Sequence, residues 1–172
     1  MVAISVAVTA PVNPPSTDDS TTPLVLTHDD LWAAMVYKSR YPKEFIKEIA
    51  KARIVREDDK GITRAVVFKK EKEEDEEELL EDITYTEKMK ISFHIPKTGQ
   101  SVDNIISYFP STGSPTPSLL HLTFTFEWPH PEVAAGSEAA KQLEQKYYAG
   151  ASYWVPHSVA VSRKMKEEGR LG

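Results

Sequence analysis

The chain has 172 residues, a formal charge of −5, 40% hydrophobic and 27% charged residues, and no cysteine. The length suits a single domain, 1–172, with enough apolar mass for a sizeable core. The lack of cysteine excludes disulfides, a thiolate nucleophile and Cys-ligated metal, and fits a reducing cytoplasm. No apolar run approaches the ~18 residues of a transmembrane helix, and there is no basic field to attract nucleic acid.

The opening residues alternate: Ile4, Val6 and Val8 against Ser5, Ala7 and Thr9. That is strand periodicity, expected over 3–12, and it argues against a signal peptide. Residues 13–26 are rich in Pro, Ser and Thr and read as a loop. Thr27 is a good N-cap, with Asp30 three residues on to complete a capping box. The helix that follows carries Leu31, Trp32, Met35 and Val36 on one side. Ser39-Arg40-Tyr41-Pro42 breaks it, because the residue before a proline avoids helical angles. Pro42 is suited to open a second short helix, to about Ile49.

Residues 52–57 and 62–69 are expected as a hairpin around Asp58-Asp59-Lys60-Gly61. Segment 69–78 holds three lysines against seven acidic residues, a net of −4, so the rest of the chain is almost neutral. It reads as a solvated acidic hairpin loop rather than a docking tail. Strands are expected at 79–87, 89–95, 100–109 and 118–128. Met89, Ile91, Phe93 and Ile95 alternate with polar residues, as do Leu120, Leu122, Phe124, Phe126 and Trp128. Such strands have one dry face. Pro129 and Pro131 are expected to end the last one.

From Ser137 to Glu168, Leu143, Tyr147, Ala151, Trp154, Ser158, Val161 and Met165 recur at helical spacing. This predicts one long helix, bent at Gly150 and Pro156, with 169–172 as a flexible tail. The expected architecture is α+β: a curved seven-stranded antiparallel sheet wrapped around a long C-terminal helix, with two short helices after the first strand. A curved sheet and a bent helix need not fill the space between them, and such spaces are usual sites for small molecules.

Three polar residues break the alternation. Arg64 shares a face with Ile62, Val66 and Phe68; Glu81 with Leu79, Ile83 and Tyr85; Asn104 with Val102, Ile106 and Tyr108. A buried charge is costly unless paired, and Arg64 and Glu81 are placed to pair across a hairpin. They are either a structural pair or groups lining a cavity, with Glu81 as a proton carrier. They are the candidate catalytic residues. Asn104, Tyr85, Tyr108, Phe93, Phe124, Tyr147, Trp154 and Ser158 are candidate ligand-binding residues. No nucleophile elbow, phosphate loop or dinucleotide fingerprint occurs. The five histidines (28, 94, 121, 130 and 157) lack metal-ligand spacing, so no metal and no cofactor are expected.

Taken together, NPP (13–15), LTHDDLWAAMVYKSRYPKEFI (26–46), GITRAVVF (61–68), LLEDITY (79–85) and LHLTFTFEW (120–128) resemble the acetylaranotin-biosynthesis protein L family of the SRPBCC superfamily. The resemblance covers most of the chain and lies in the order of segments rather than in one motif. It implies the helix-grip fold shared with START domains, pollen-allergen-like proteins and aromatic polyketide cyclases. For function it implies binding of a hydrophobic, polyketide-like or polycyclic small molecule in a natural-product pathway. Some superfamily members only bind and carry; others catalyse cyclisation, dehydration or isomerisation without a cofactor. The expected partner is thus a hydrophobic small molecule, with neither nucleic acid nor membrane insertion; the homo-oligomeric state is left open. A protein-interaction module recruited through the acidic loop is the weaker alternative.

Overall fold

The computed structural model describes residues 2–15, 24–72 and 75–171. The loop expected over 13–26 and the acidic loop 69–78 therefore lie partly outside the described residues. Seven strands form one antiparallel sheet: β1 (Val2–Pro11), β2 (Ile49–Asp58), β3 (Gly61–Phe68), β4 (Glu78–Thr86), β5 (Lys90–Ile95), β6 (Gln100–Tyr108) and β7 (Leu120–His130), in the order β1-β7-β6-β5-β4-β3-β2. Helix α1 (His28–Arg40) follows β1, and helix α2 (Glu138–Glu167) closes the chain. This is the α+β helix-grip arrangement. Among the described residues no helix is long and apolar enough to cross a membrane.

Both helices start at a side-chain cap, the first at the Thr27 that the sequence places there. Thr27 Oγ1 accepts from Asp30 N at 3.1 Å and Asp30 returns a bond to Thr27 N, a complete capping box. Ser137 Oγ accepts from Ala140 N. Helix α2 lies over β1 and β7, burying Ala151, Val155, Ser158, Val159 and Met165 against Ile4, Val6, Phe124 and Phe126. Side chains i, i+4 and i+7 on its inner face meet the period-2 dry face of the sheet.

Local expectations fail at three places. The second helix shrinks to one 3-10 turn, Pro42–Glu44, because β2 already starts at Ile49, whose side chain is buried. Met89 belongs to the turn after β4, where its N–H donates to Thr86 O, and is exposed. Strand β7 runs through Pro129 to His130. Its pairing with β6 stops at Ser101↔Glu127 while β1 continues opposite as far as His130, so the proline falls where the strand has a neighbour on one side only. Beyond α2, Arg170 donates to both carboxylate oxygens of Glu44 and to Tyr37 Oη. Residue 172 lies outside the described residues.

Candidate functional site

The register of the sheet sets the floor of the site. Arg64 stands directly opposite Glu81. Asn104 lies between Ile91 of β5 and Phe124 of β7, and Phe93 opposite Val102, which in turn faces Phe126. Between this floor and α2 is a hollow of about 310 Å³, near the lower end of the roughly 300–1,000 Å³ usual for small-molecule sites. Its wall is mostly aromatic and aliphatic: Phe45, Phe93, Phe124, Phe126, Trp128 and Trp154. Glu48, Phe68, Gln100 and Tyr147 stand at its less buried end.

The closed end is polar. Arg64 is 1% exposed, Asn104 2% and Lys38 4%. The Arg64 guanidinium donates through Nε to Glu81 Oε2 at 2.6 Å, with Nη2 also 2.6 Å from that oxygen. Its Nη1 donates to the carbonyls of Lys38 (3.2 Å) and Ser39 (2.8 Å). These belong to the last turn of α1, whose carbonyls lack helical partners and attract positive charge. One side chain therefore ties the end of α1 to β3 and β4. Glu81 Oε1 carries no hydrogen bond among the described residues.

Lys38 shares the inner face of α1 with Leu31, Ala34 and Met35 and reaches into the same end. Its Nζ donates to Asn104 Oδ1 at 2.8 Å and lies 3.9 Å from the centre of the Phe124 ring and 5.7 Å from that of Phe93. Burial first, then repulsion from Arg64, bring the Lys38 ammonium down to about 7, with Glu81 opposing. The amide of Asn104 has its oxygen satisfied, while its Nδ2 is buried without a partner. Ser158 of α2 lines the hollow as well.

At the outer end, Tyr147 Oη lies 2.9 Å from His130 Nε2, and His130 Nδ1 lies 2.9 Å from Glu132 Oε1. A carboxylate at Nδ1 accepts the ring N–H there, so in the neutral ring Nε2 accepts from the tyrosine. Burial, and then the charge of Glu132, push the Tyr147 hydroxyl up. The Tyr147 ring stacks on Trp128 at 4.0 Å, Trp128 on Phe126 at 4.9 Å, and Trp154 leans on Phe126 at 5.7 Å. The Trp154 indole folds back over Gly150, where a Cβ would stand only 2.7 Å from indole Cη2.

Of the residues expected at the site, the structure brings together Arg64, Glu81, Asn104, Phe93, Phe124, Tyr147, Trp154 and Ser158. Tyr85 and Tyr108 lie outside the lining. Tyr85 donates to or accepts from Ser39 Oγ at 2.7 Å and packs edge-on to Trp32. Tyr108, 37% exposed, stacks on His28. Helix α1 covers that end of the sheet and takes both rings. Sequence reasoning missed Lys38, although its i+3, i+4 and i+7 spacing from Met35, Ala34 and Leu31 was the available signal. It also passed over Phe126 and Trp128 as ligand contacts, which share the alternation of Phe124.

A family model described as acetylaranotin biosynthesis cluster protein L matches residues 6–169. Among solved structures, the di-domain ARO/CYC StfQ from the steffimycin biosynthetic pathway is 12% identical with a TM-score of 0.64, over 96% of this chain and 52% of that one. The chain thus spans about half the length of that di-domain protein. The Zhui aromatase/cyclase from Streptomyces sp. R1128 is 12% identical with a TM-score of 0.62, over 95% of this chain and 96% of that one. Ara h 8.0201 is 11% identical with a TM-score of 0.55, over 94% and 97%. No curated protein shows significant sequence similarity to the chain. At these identities the likeness to the solved structures is one of fold.

Proposed function

The chain belongs to the acetylaranotin biosynthesis cluster protein L family, and from that membership together with its aromatase/cyclase fold neighbours we propose that it takes an apolar, polyketide-type small molecule into the hollow between sheet and α2 and promotes its ring closure or isomerisation without a cofactor. The observation that carries this reading is the make-up of the hollow: an aromatic chamber whose buried end holds Lys38, Arg64, Glu81 and Asn104. Apolar walls exclude water and select a compact, reactive conformer. Polar groups at one end fix which carbonyl of the ligand sits there. Structural neighbours named as aromatase/cyclases support the same ligand class.

In this reading Glu81 acts after ring closure, in the loss of water: through Oε1, the oxygen that Arg64 does not use, it takes a proton from carbon and returns it to the departing hydroxyl. Arg64 orients that carboxylate and contributes positive charge where an oxyanion develops. Tyr147, held by His130, supplies a hydroxyl toward the outer end. A non-catalytic carrier is the second reading, favoured by one observation: most donors of Arg64 are already engaged by Glu81 and by the end of α1.

The test is product formation from a linear poly-β-ketone released by a polyketide synthase. An enzyme shifts the ring pattern in proportion to its own concentration, and Glu81→Gln, which keeps an acceptor for Arg64, slows that shift by about a hundredfold. A ring pattern independent of the added protein would leave only the carrier.

A further inference from the structure

We propose that Lys38 is the base that takes a proton from a 1,3-dicarbonyl ligand, and that Lys38 and Asn104 together hold the resulting enolate oxygen at the closed end of the hollow. This rests on the reading that the hollow takes a polyketide-type ligand, and names the functional group it is built around.

Two independent observations converge. The first is charge. Arg64 and Glu81 neutralise each other at 2.6 Å. Lys38 then adds a cation with no carboxylate among its contacts. The groups that face it are Arg64 from β3, Glu81 from β4, Phe93 from β5, Asn104 from β6 and Phe124 from β7, with Ser158 of α2 at the same end. The one anion in that set is already held by Arg64. A buried ammonium satisfied by one amide oxygen and aromatic faces calls for an anionic oxygen from outside the chain. The second is the orphan donor. Lys38 holds Asn104 Oδ1, which fixes the amide with its Nδ2 as the free donor end, buried and without an acceptor. A ligand oxygen beside Lys38 satisfies both groups at once.

The proton step balances without any outside reagent. With Lys38 brought down to about 7, an appreciable share of the amine is neutral near neutral pH and has a free electron pair. The C–H between two carbonyls, or the O–H of the enol, breaks, and its proton forms a new N–H on Nζ. The electron pair it leaves spreads over the O–C–C–C–O unit. Neutral ligand and neutral amine become enolate and ammonium, with net charge unchanged. The ammonium and Asn104 Nδ2 donate to the enolate oxygen, an attraction strengthened where water is excluded. The enolate carbon then attacks a second carbonyl of the same ligand. Its C–O π pair becomes an alkoxide, which takes the proton back from Nζ. The ring is closed and the amine restored.

The experiment titrates 1-phenyl-1,3-butanedione into the protein at a pH below the diketone's own pKa in water. Ultraviolet absorbance separates neutral enol from enolate, and quenching of tryptophan fluorescence reports binding by a separate route. The expected result is an enolate spectrum with wild-type protein. In Lys38→Met the enolate share of bound diketone falls by about tenfold or more. Asn104→Asp, nearly isosteric, has the same effect by giving Lys38 an internal carboxylate that keeps it protonated. A loss of fold in Lys38→Met, read by circular dichroism, leaves the wild-type spectrum and Asn104→Asp to decide. Quenching with the neutral-enol spectrum retained would overturn this inference while leaving the functional reading intact. So would an unchanged enolate share in both variants, or a mass gain of one diketone less one water on Lys38, which would mark the amine as a nucleophile. Absence of quenching by the diketone and by the neutral ketone acetophenone would overturn the functional reading, and this inference with it.

Discussion

Arg64 joins three elements through one guanidinium. It neutralises Glu81 on the neighbouring strand and binds the last carbonyls of α1. Removing it leaves a carboxylate buried in an apolar wall and two helix carbonyls without a donor. Arg64→Ala is therefore expected to cost about 3–5 kcal/mol in urea unfolding. The double variant Arg64→Met, Glu81→Leu should recover a large part of that loss, because the stranded carboxylate goes too; a double variant as unstable as the single one would place the cost elsewhere. These two residues and Asn104 were legible in the sequence. Strand alternation fixes a face, and a polar residue among Ile62, Val66 and Phe68 stands out against it. Lys38 was not. A lysine on an amphipathic helix usually sends its head group back to water, so its place on the buried stripe of α1 carried little weight. Tyr85 and Tyr108 show the opposite limit: period-2 alternation gives the face but not which stretch of it lies under α1 and which under α2.

Helix α2 is shaped around Trp154 as much as around its core residues. Gly150 leaves room for the indole to lie back against the helix, and a methyl group there would stand 2.7 Å from the ring. Gly150→Ala is expected to push Trp154 into the hollow. Affinity for an aromatic ligand should drop by about tenfold while helix content by circular dichroism stays constant or rises, since alanine favours helix. Unchanged affinity would mean the indole relaxes in another direction. The length of α2 and its inner stripe were readable from spacing. The role of Gly150 was not, because a glycine inside a helix reads as a bend until the neighbouring ring is seen. The short second helix failed for a related reason. Pro42 starts a turn as expected, but the pairing of Ile49 with Phe68 draws the chain into β2. Local propensity yields there to a strand partner far along the chain.

At the scale of the whole molecule, the order β1-β7-β6-β5-β4-β3-β2 brings the first strand beside the last and leaves one concave face for α2. The fold followed from the order and periodicity of segments. The hollow's polar end depends on side chains from α1 and from every strand between β3 and β7, a convergence that no single stretch displays. Its burial also has a pH signature. Lys38 has its pKa lowered on folding, from 10.5 to about 7. Below pH 7 it is charged in both states and its burial penalty is fully present. Between 7 and 10.5 the unfolded chain holds a proton that the folded chain does not, so stability rises with pH through that window. Lys38→Met lacks this term. Its melting temperature relative to wild type should be highest below pH 7 and should fall steadily toward pH 10; a difference that is flat with pH would contradict the burial of a titrating amine.

That a small molecule sits between the sheet and α2 can be read by NMR chemical-shift mapping of the labelled protein during titration with 1-phenyl-1,3-butanedione. Saturable shifts concentrated on Lys38, Phe93, Asn104, Phe124 and Trp154 are expected. Shifts confined to the convex side of the sheet, or none at saturating ligand, would contradict it.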